Sequence, residues 1–156
     1  MKTAIIYYSY GNNTRSIAKK IGESINADLF EIEPEIPYTK DYNALVDTEE
    51  EKMDQQEIVP IKEINIDWNK YDKVILRTPV WWYAITPPMR SFLENNKEKL
   101  NKKTCRAFIT NGGWIGHSKE DIENYVPLQS YVNLEFDENT IRKNSQIELE
   151  NWIKSL

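Results

Sequence analysis

Short apolar runs recur along the chain, each followed by a polar turn and then by apolar residues at helical spacing. Thr3 to Ser9 is rich in β-branched and aromatic residues, which predicts a buried strand. Ile17, Ala18 and Ile21 then form one face of a helix from Thr14 to about Ile25. A second strand, Asp28 to Glu33, is stopped by Pro34 and Pro37. The acidic stretch from Thr39 to about Gln56 predicts a solvent-facing helix capped near Thr39 or Asp41. Ile61 to Asp67 alternates polar and apolar residues and leads into a third core strand, Lys73 to Thr78. Pro79 to Tyr83 reads as a loop, and Pro87-Pro88 opens a helix with Met89, Phe92 and Leu93 on its inner face. Strand four spans Thr104 to Thr110. Ser118 begins a short helix in a Ser-x-x-acid capping pattern. Val132, Leu134 and Phe136 mark a fifth strand, and Asn144 or Ser145 caps a final amphipathic helix containing Trp152.

Strands alternating with helices predict one α/β domain over residues 1–156. The expected architecture is a three-layer sandwich, a five-stranded parallel sheet of order 2-1-3-4-5 with helices on both faces. Such a sheet binds ligands past the carboxyl ends of its strands, at the point where the strand order reverses. Three loops of unusual chemistry follow strands one, three and four, and this order brings them to that one edge. The first, Ser9-Tyr10-Gly11-Asn12-Asn13-Thr14, sets hydroxyls and backbone N–H groups at a helix start, an arrangement that suits a phosphate. The same residues also suit an ordinary capped helix. Lys19 and Lys20 lie a turn or more further on, so the turn is an anion site without a cation. Neither Gly-Lys-Ser/Thr nor Gly-x-Gly-x-x-Gly is present there. The second loop, Thr78-Pro79-Val80-Trp81-Trp82-Tyr83, and the third, Asn111-Gly112-Gly113-Trp114, offer π-faces and glycine amides. A flat heteroaromatic ring fits between them. His117, the only histidine, follows the third loop and is either a proton donor or a residue that positions the next helix.

Composition narrows the function. The net charge of −5 argues against nucleic acid as the main partner. One cysteine, Cys105, excludes an internal disulfide and a cysteine-rich metal site, and its apolar surroundings predict a buried thiol. No apolar run reaches membrane-spanning length, and the amino terminus reads directly into a strand without a signal peptide, so a cytoplasmic location is expected.

The three loops together resemble those of flavodoxin-like FMN-binding proteins, in particular the short flavodoxin and NAD(P)H dehydrogenase type. Ser9 to Thr14 stands where the family has Ser-x-Thr-Gly-Asn-Thr. Tyr71-Asp72, Val74-Ile75-Leu76, Pro79-Val80-Trp81-Trp82, Pro87-Pro88-Met89 and Phe92-Leu93 match its middle block, and Thr110-Asn111-Gly112-Gly113 is similar to its Thr-Ser-Gly-Gly. The departures are Gly11 for threonine, Asn12 for glycine and Asn111 for serine. The resemblance implies FMN, with Ser9, Tyr10, Gly11, Asn12, Asn13 and Thr14 at the phosphate. It puts Thr78 to Tyr83 on one side of the ring and Asn111 to Trp114 on the other. It implies either an electron-transfer protein with redox protein partners or an NAD(P)H oxidoreductase acting on quinones or on nitro or azo compounds. A scaffold that has lost its flavin is the third possibility. A phosphoacceptor receiver is disfavoured, because Tyr8-Ser9 and Thr78-Pro79 stand where its acids belong. Both monomer and homodimer remain open.

Overall fold

The computed structural model describes residues 2–10, 13–54, 58–138 and 140–156, with side chains 13, 14 and 50–54 outside that description. Its elements in the first half are β1 (Lys2–Tyr7), α1 (Asn13–Ile25), β2 (Asp28–Glu31) and α2 (Tyr42–Asp54). A single 3-10 turn at Trp68–Lys70 precedes β3 (Tyr71–Trp81), β4 (Ala84–Ile85) and α3 (Pro87–Leu100). The chain continues with β5 (Thr104–Asn111), α4 (Ser118–Glu123), β6 (Ser130–Asp137), β7 (Thr140–Ile141) and α5 (Lys143–Ser155).

Five strands pair in parallel in the order β2-β1-β3-β5-β6. The five-stranded sheet expected from the sequence is therefore the parallel part of a seven-stranded one, with β2 still at one edge. The two additions are short antiparallel returns, β4 on the end of β3 and β7 on the end of β6. The first arises because β3 does not stop at Thr78. Pro79 stays in register opposite Thr110, and the strand runs on to Trp81 before doubling back.

Side-chain alternation sorts the core into two layers. Ile6, Tyr8, Val74, Leu76, Ala107 and Ile109 meet Met89, Phe92 and Leu93 of α3 and Ile122 of α4. Ile5, Tyr7, Ile75, Phe108, Val132 and Leu134 meet Ala18 and Ile21 of α1 and Leu149 and Trp152 of α5. Ile61 to Asp67 forms no strand. It makes one bridge, Pro34 with Ile61, while the Ser91 hydroxyl donates to Val59 O at 2.6 Å and accepts from Val59 N at 2.9 Å.

Three capping and exposure expectations change. Asp41 does cap α2, accepting from Asn43 N at 3.0 Å, but Glu49 of that helix is buried, so its acidic face is not wholly solvated. Ser118 is inside α4, with His117 at the capping position and a buried hydroxyl that has no hydrogen-bond partner. Ser145 lies in the first turn of α5, after Arg142 at the cap, and its hydroxyl accepts from Glu135 N at 2.8 Å, tying the helix to β6.

Cys105 is buried as expected, its Sγ 3.5 Å from Leu100 O. Burial pushes the thiol from 9.0 up to about 12. The folded form therefore holds a proton that the unfolded chain loses between those values, and stability falls as pH rises through that window. Below it the contribution is intact. Cys105→Ala removes this part of the alkaline loss, so urea midpoints of variant and wild type should keep a constant gap below about pH 8 and shift in the variant's favour above about pH 9.

Candidate functional site

An open cleft of about 1070 Å3 lies past the carboxyl ends of β3 and β5. Tyr10 enters it from the first loop, Pro79 to Tyr83 from the second, and Asn111, Gly112 and Trp114 from the third. The sheet order thus brings most of the expected ring-side residues together. Thr78 does not join them: it is fully buried, and its hydroxyl donates to Pro79 O at 2.8 Å. Helix α2 supplies an unexpected wall through Tyr42, Leu45 and Val46, and Phe136 and Glu138 close the far side. The only sequence signal for that wall is the apolar Ala44-Leu45 step inside an acidic helix.

Trp81 is the hub of the aromatic side. Its ring meets Tyr8, Tyr10, Tyr38 and Trp82 edge-on, at centroid distances of 5.9, 5.7, 5.1 and 6.2 Å. Tyr10 is held in turn by a hydrogen bond from its hydroxyl to Thr39 O. These rings bring the first loop, the segment after β2 and the β3–β4 hairpin to one point.

The hairpin turns on two residues, Trp82 at φ +47° and Tyr83 at φ +64°. Both lie in the left-handed region normally left to Asn and Gly in such two-residue turns. The strain is held by contacts at the tip. Tyr83 packs on Trp114 with centroids 4.7 Å apart, and His117 N donates to Tyr83 O at 2.8 Å. Replacing Trp82-Tyr83 by Asn-Gly relieves about 1–2 kcal/mol per residue and forfeits two aromatic contacts of about 0.5–1.5 kcal/mol each. Urea unfolding is expected to find stability within about 1 kcal/mol of wild type despite the loss of two rings. A loss above about 2 kcal/mol would mean that the ring contacts outweigh the backbone strain they hold.

The third loop is held from both sides. Asn111 donates to Asn133 Oδ1 and accepts from Gly113 N at 2.8 Å, so the Gly113 amide is already engaged. A β-carbon added at Gly112 would meet nothing within 4 Å. Arg142 straps the loop to the sheet, donating to Gly112 O at 3.2 Å while pairing with Glu135 at 2.7 Å and Asp137 at 2.9 Å.

At the phosphate end, Gly11 and Asn12 lie outside the described residues, as do the side chains of Asn13 and Thr14. Ser9 lines a second cleft of about 550 Å3, shared with Arg15, Glu31 and Tyr38, and Tyr10 stands on the wall between the two. Cations do lie near this loop. Arg15, in the first turn of α1, pairs with Glu31 at 2.6 Å. Arg77 of β3 is fully buried, donating to Tyr8 O and, at 2.7 Å, to Thr110 Oγ1. Hydrophobic patterning passes over this residue. Its sequence signal is a charge directly after Val74-Ile75-Leu76, inside a strand buried on both faces.

His117 does not line the cleft. Its Nδ1 lies 3.0 Å from both Asp121 carboxylate oxygens, and Asp121 in turn accepts from Ile85 N at 3.1 Å and faces Arg90 at 3.6 Å. The histidine and its buried acid thereby fasten α4 to the β3–β4 hairpin. Among the described residues no cluster of three His, Cys, Asp or Glu side chains is arranged for a metal ion, and no helix is long and apolar enough to cross a membrane.

A family model for flavodoxin matches residues 2–156. The chain belongs to the flavodoxin family. A candidate flavoprotein from Bacteroides eggerthii is 26% identical, with 96% of each chain covered and a TM-score of 0.75. A flavoprotein of Lactobacillus acidophilus solved in complex with FMN is 23% identical, with 97% of each chain covered and a TM-score of 0.75. The apo form of the flavoprotein from that organism is 25% identical over 83% of this chain and 90% of its own, with a TM-score of 0.62. No curated protein matches this flavodoxin-family chain.

Proposed function

We propose that this flavodoxin-family protein binds FMN and carries electrons between redox partners. The observation behind the reading is the cleft in which the Trp81-Trp82-Tyr83 hairpin and the Asn111–Trp114 loop face each other at the carboxyl edge of a flavodoxin sheet. Its residues fit the cofactor. Trp81, Trp82, Tyr83 and Trp114 provide walls for a flat ring, and Gly112 leaves backbone open to its edge. Ser9 and the start of α1 provide the phosphate end.

Bound FMN supplies the redox chemistry, in one-electron or two-electron steps. The protein's part is to hold and tune it. The ring cluster around Trp81 gives one side of the cleft an apolar wall, and the His117 N bond to Tyr83 O holds the hairpin that carries it. The acidic excess, net charge −5, suits docking to basic redox proteins. His117 holds the hairpin through its backbone N–H and keeps its ring on Asp121, so we assign it to positioning.

One observation favours the alternative, an NAD(P)H oxidoreductase acting on quinones or nitro or azo compounds. The cleft, at about 1070 Å3, is roomy enough for a second ring beside the first. Two measurements decide the matter. FMN added to stripped protein should lose its free fluorescence, and NAD(P)H oxidation without a partner reductase should be negligible. Persistent fluorescence would end the flavin reading, and rapid turnover with a quinone would replace the carrier by the reductase.

A further inference from the structure

Two arginines are buried in the interior, and among the described residues only one has an acid. Arg90 faces Asp121 at 3.6 Å. Arg77 is bonded only to neutral oxygens, Tyr8 O and Thr110 Oγ1, and its buried Nε has no hydrogen-bond partner. No carboxylate pairs with it among the described residues, and the neighbouring Tyr7 and Tyr8 phenols, whose pKa burial raises, carry no charge at neutral pH. Burial pulls its pKa down to about 9, which still leaves a cation at neutral pH. A lone buried cation is a heavy cost to the folded state unless something answers its charge.

Its place in the sheet says what that something is. Arg77 sits in register between Tyr7 and Phe108, both of which face α1 and α5, so it lies on that layer. The guanidinium reaches Tyr8 and Thr110, one and two residues further along their chains, and so leans toward the carboxyl edge. There it lies against the carbonyl of Tyr8, the residue before Ser9, and behind the Thr110 hydroxyl, which lines the cleft. Helix α1 starts on the same layer with no acidic residue in its first turn, so its positive end adds to the arginine's charge. The other nearby cation, Arg15, is exposed and already paired with Glu31.

We propose that Arg77 is the buried counter-charge for the cofactor's phosphate and thereby makes this site select FMN over riboflavin. The inference rests on the FMN reading above and adds to it the origin of the selectivity. The arginine need not touch the phosphate. In a dry interior, charge acts across intervening neutral groups with little screening.

The test compares FMN and riboflavin affinities, by flavin fluorescence quenching, for wild type, Arg77→Met and Arg77→Lys. Wild type should prefer FMN strongly. Arg77→Met should lose about 10- to 100-fold in FMN affinity while riboflavin changes by less than about 3-fold, and Arg77→Lys should recover most of the loss. Equal weakening toward both flavins, or no weakening, overturns the assignment while leaving FMN binding in place. Wild type that quenches neither flavin removes the FMN reading itself. Should Arg77→Met not fold, Arg77→Gln takes its place, since it keeps polar contacts to Tyr8 O and Thr110 Oγ1 but carries no charge. A selective loss of FMN affinity supports the counter-charge, and an unchanged FMN to riboflavin ratio overturns it.

Discussion

Gly116→Ala is expected to destabilise the fold by about 2–4 kcal/mol and to release the tip of the β3–β4 hairpin. A β-carbon at Gly116 would sit 2.5 Å from Tyr83 Cα and closer still to the Tyr83 carbonyl oxygen and side chain. The obstacle is backbone, which cannot swing aside as a side-chain end can. The residue also has φ +58°, where alanine is strained by about 1–2 kcal/mol before any overlap is counted. Relief requires parting the 112–117 loop from the hairpin, which breaks the His117 N to Tyr83 O bond. Urea unfolding measures the stability, and FMN quenching measures the damage to the cleft. Gly112→Ala is the control. Its β-carbon meets nothing within 4 Å, and its stability should stay within about 0.5 kcal/mol of wild type.

Trp81→Ala should cost about 3 kcal/mol and at least about tenfold in FMN affinity. The loss exceeds that of an ordinary half-buried side chain because four rings from three segments lean on this indole. Without it, Tyr10 and Tyr38 have no common surface, and the first loop loses its tie to the hairpin. Trp81→Phe keeps a ring at the centre and should recover more than half of both effects. If Trp81→Ala unfolds at the wild-type urea concentration, the cluster is a surface decoration and the cleft is assembled by the backbone alone.

The sheet was legible because each parallel strand is a short apolar run bounded by turn residues. The convergence of the three loops then followed from strand order. The hairpin was not legible. Pro79 reads as the end of a strand, since proline gives no ladder donor, yet β3 carries it in register beside β5 and continues. Nothing in Trp82-Tyr83 announces a two-residue turn, because the turn is imposed by Gly116 and Trp114 and not by local preference. Ser118 matched a capping pattern, but the helix begins one residue earlier than that pattern requires. The α2 wall of the cleft depends on how a long connection folds back, which hydrophobic period does not encode. Arg77 was passed over, because Val74-Ile75-Leu76 define the strand without it. Only the structure places its guanidinium against Tyr8 O, just before the first loop, with no carboxylate paired to it among the described residues.

Arg142 fastens Gly112 to the outer strands through one exposed ion pair, with Asp137, and one partly buried, with Glu135. Such pairs weaken as ionic strength rises, whereas the aromatic cluster on the opposite wall does not. The two jaws of the cleft therefore respond differently to salt. Raising the ionic strength should loosen the Gly112 side of the cleft more than the Trp81 side, which unfolding or FMN quenching at graded salt would read.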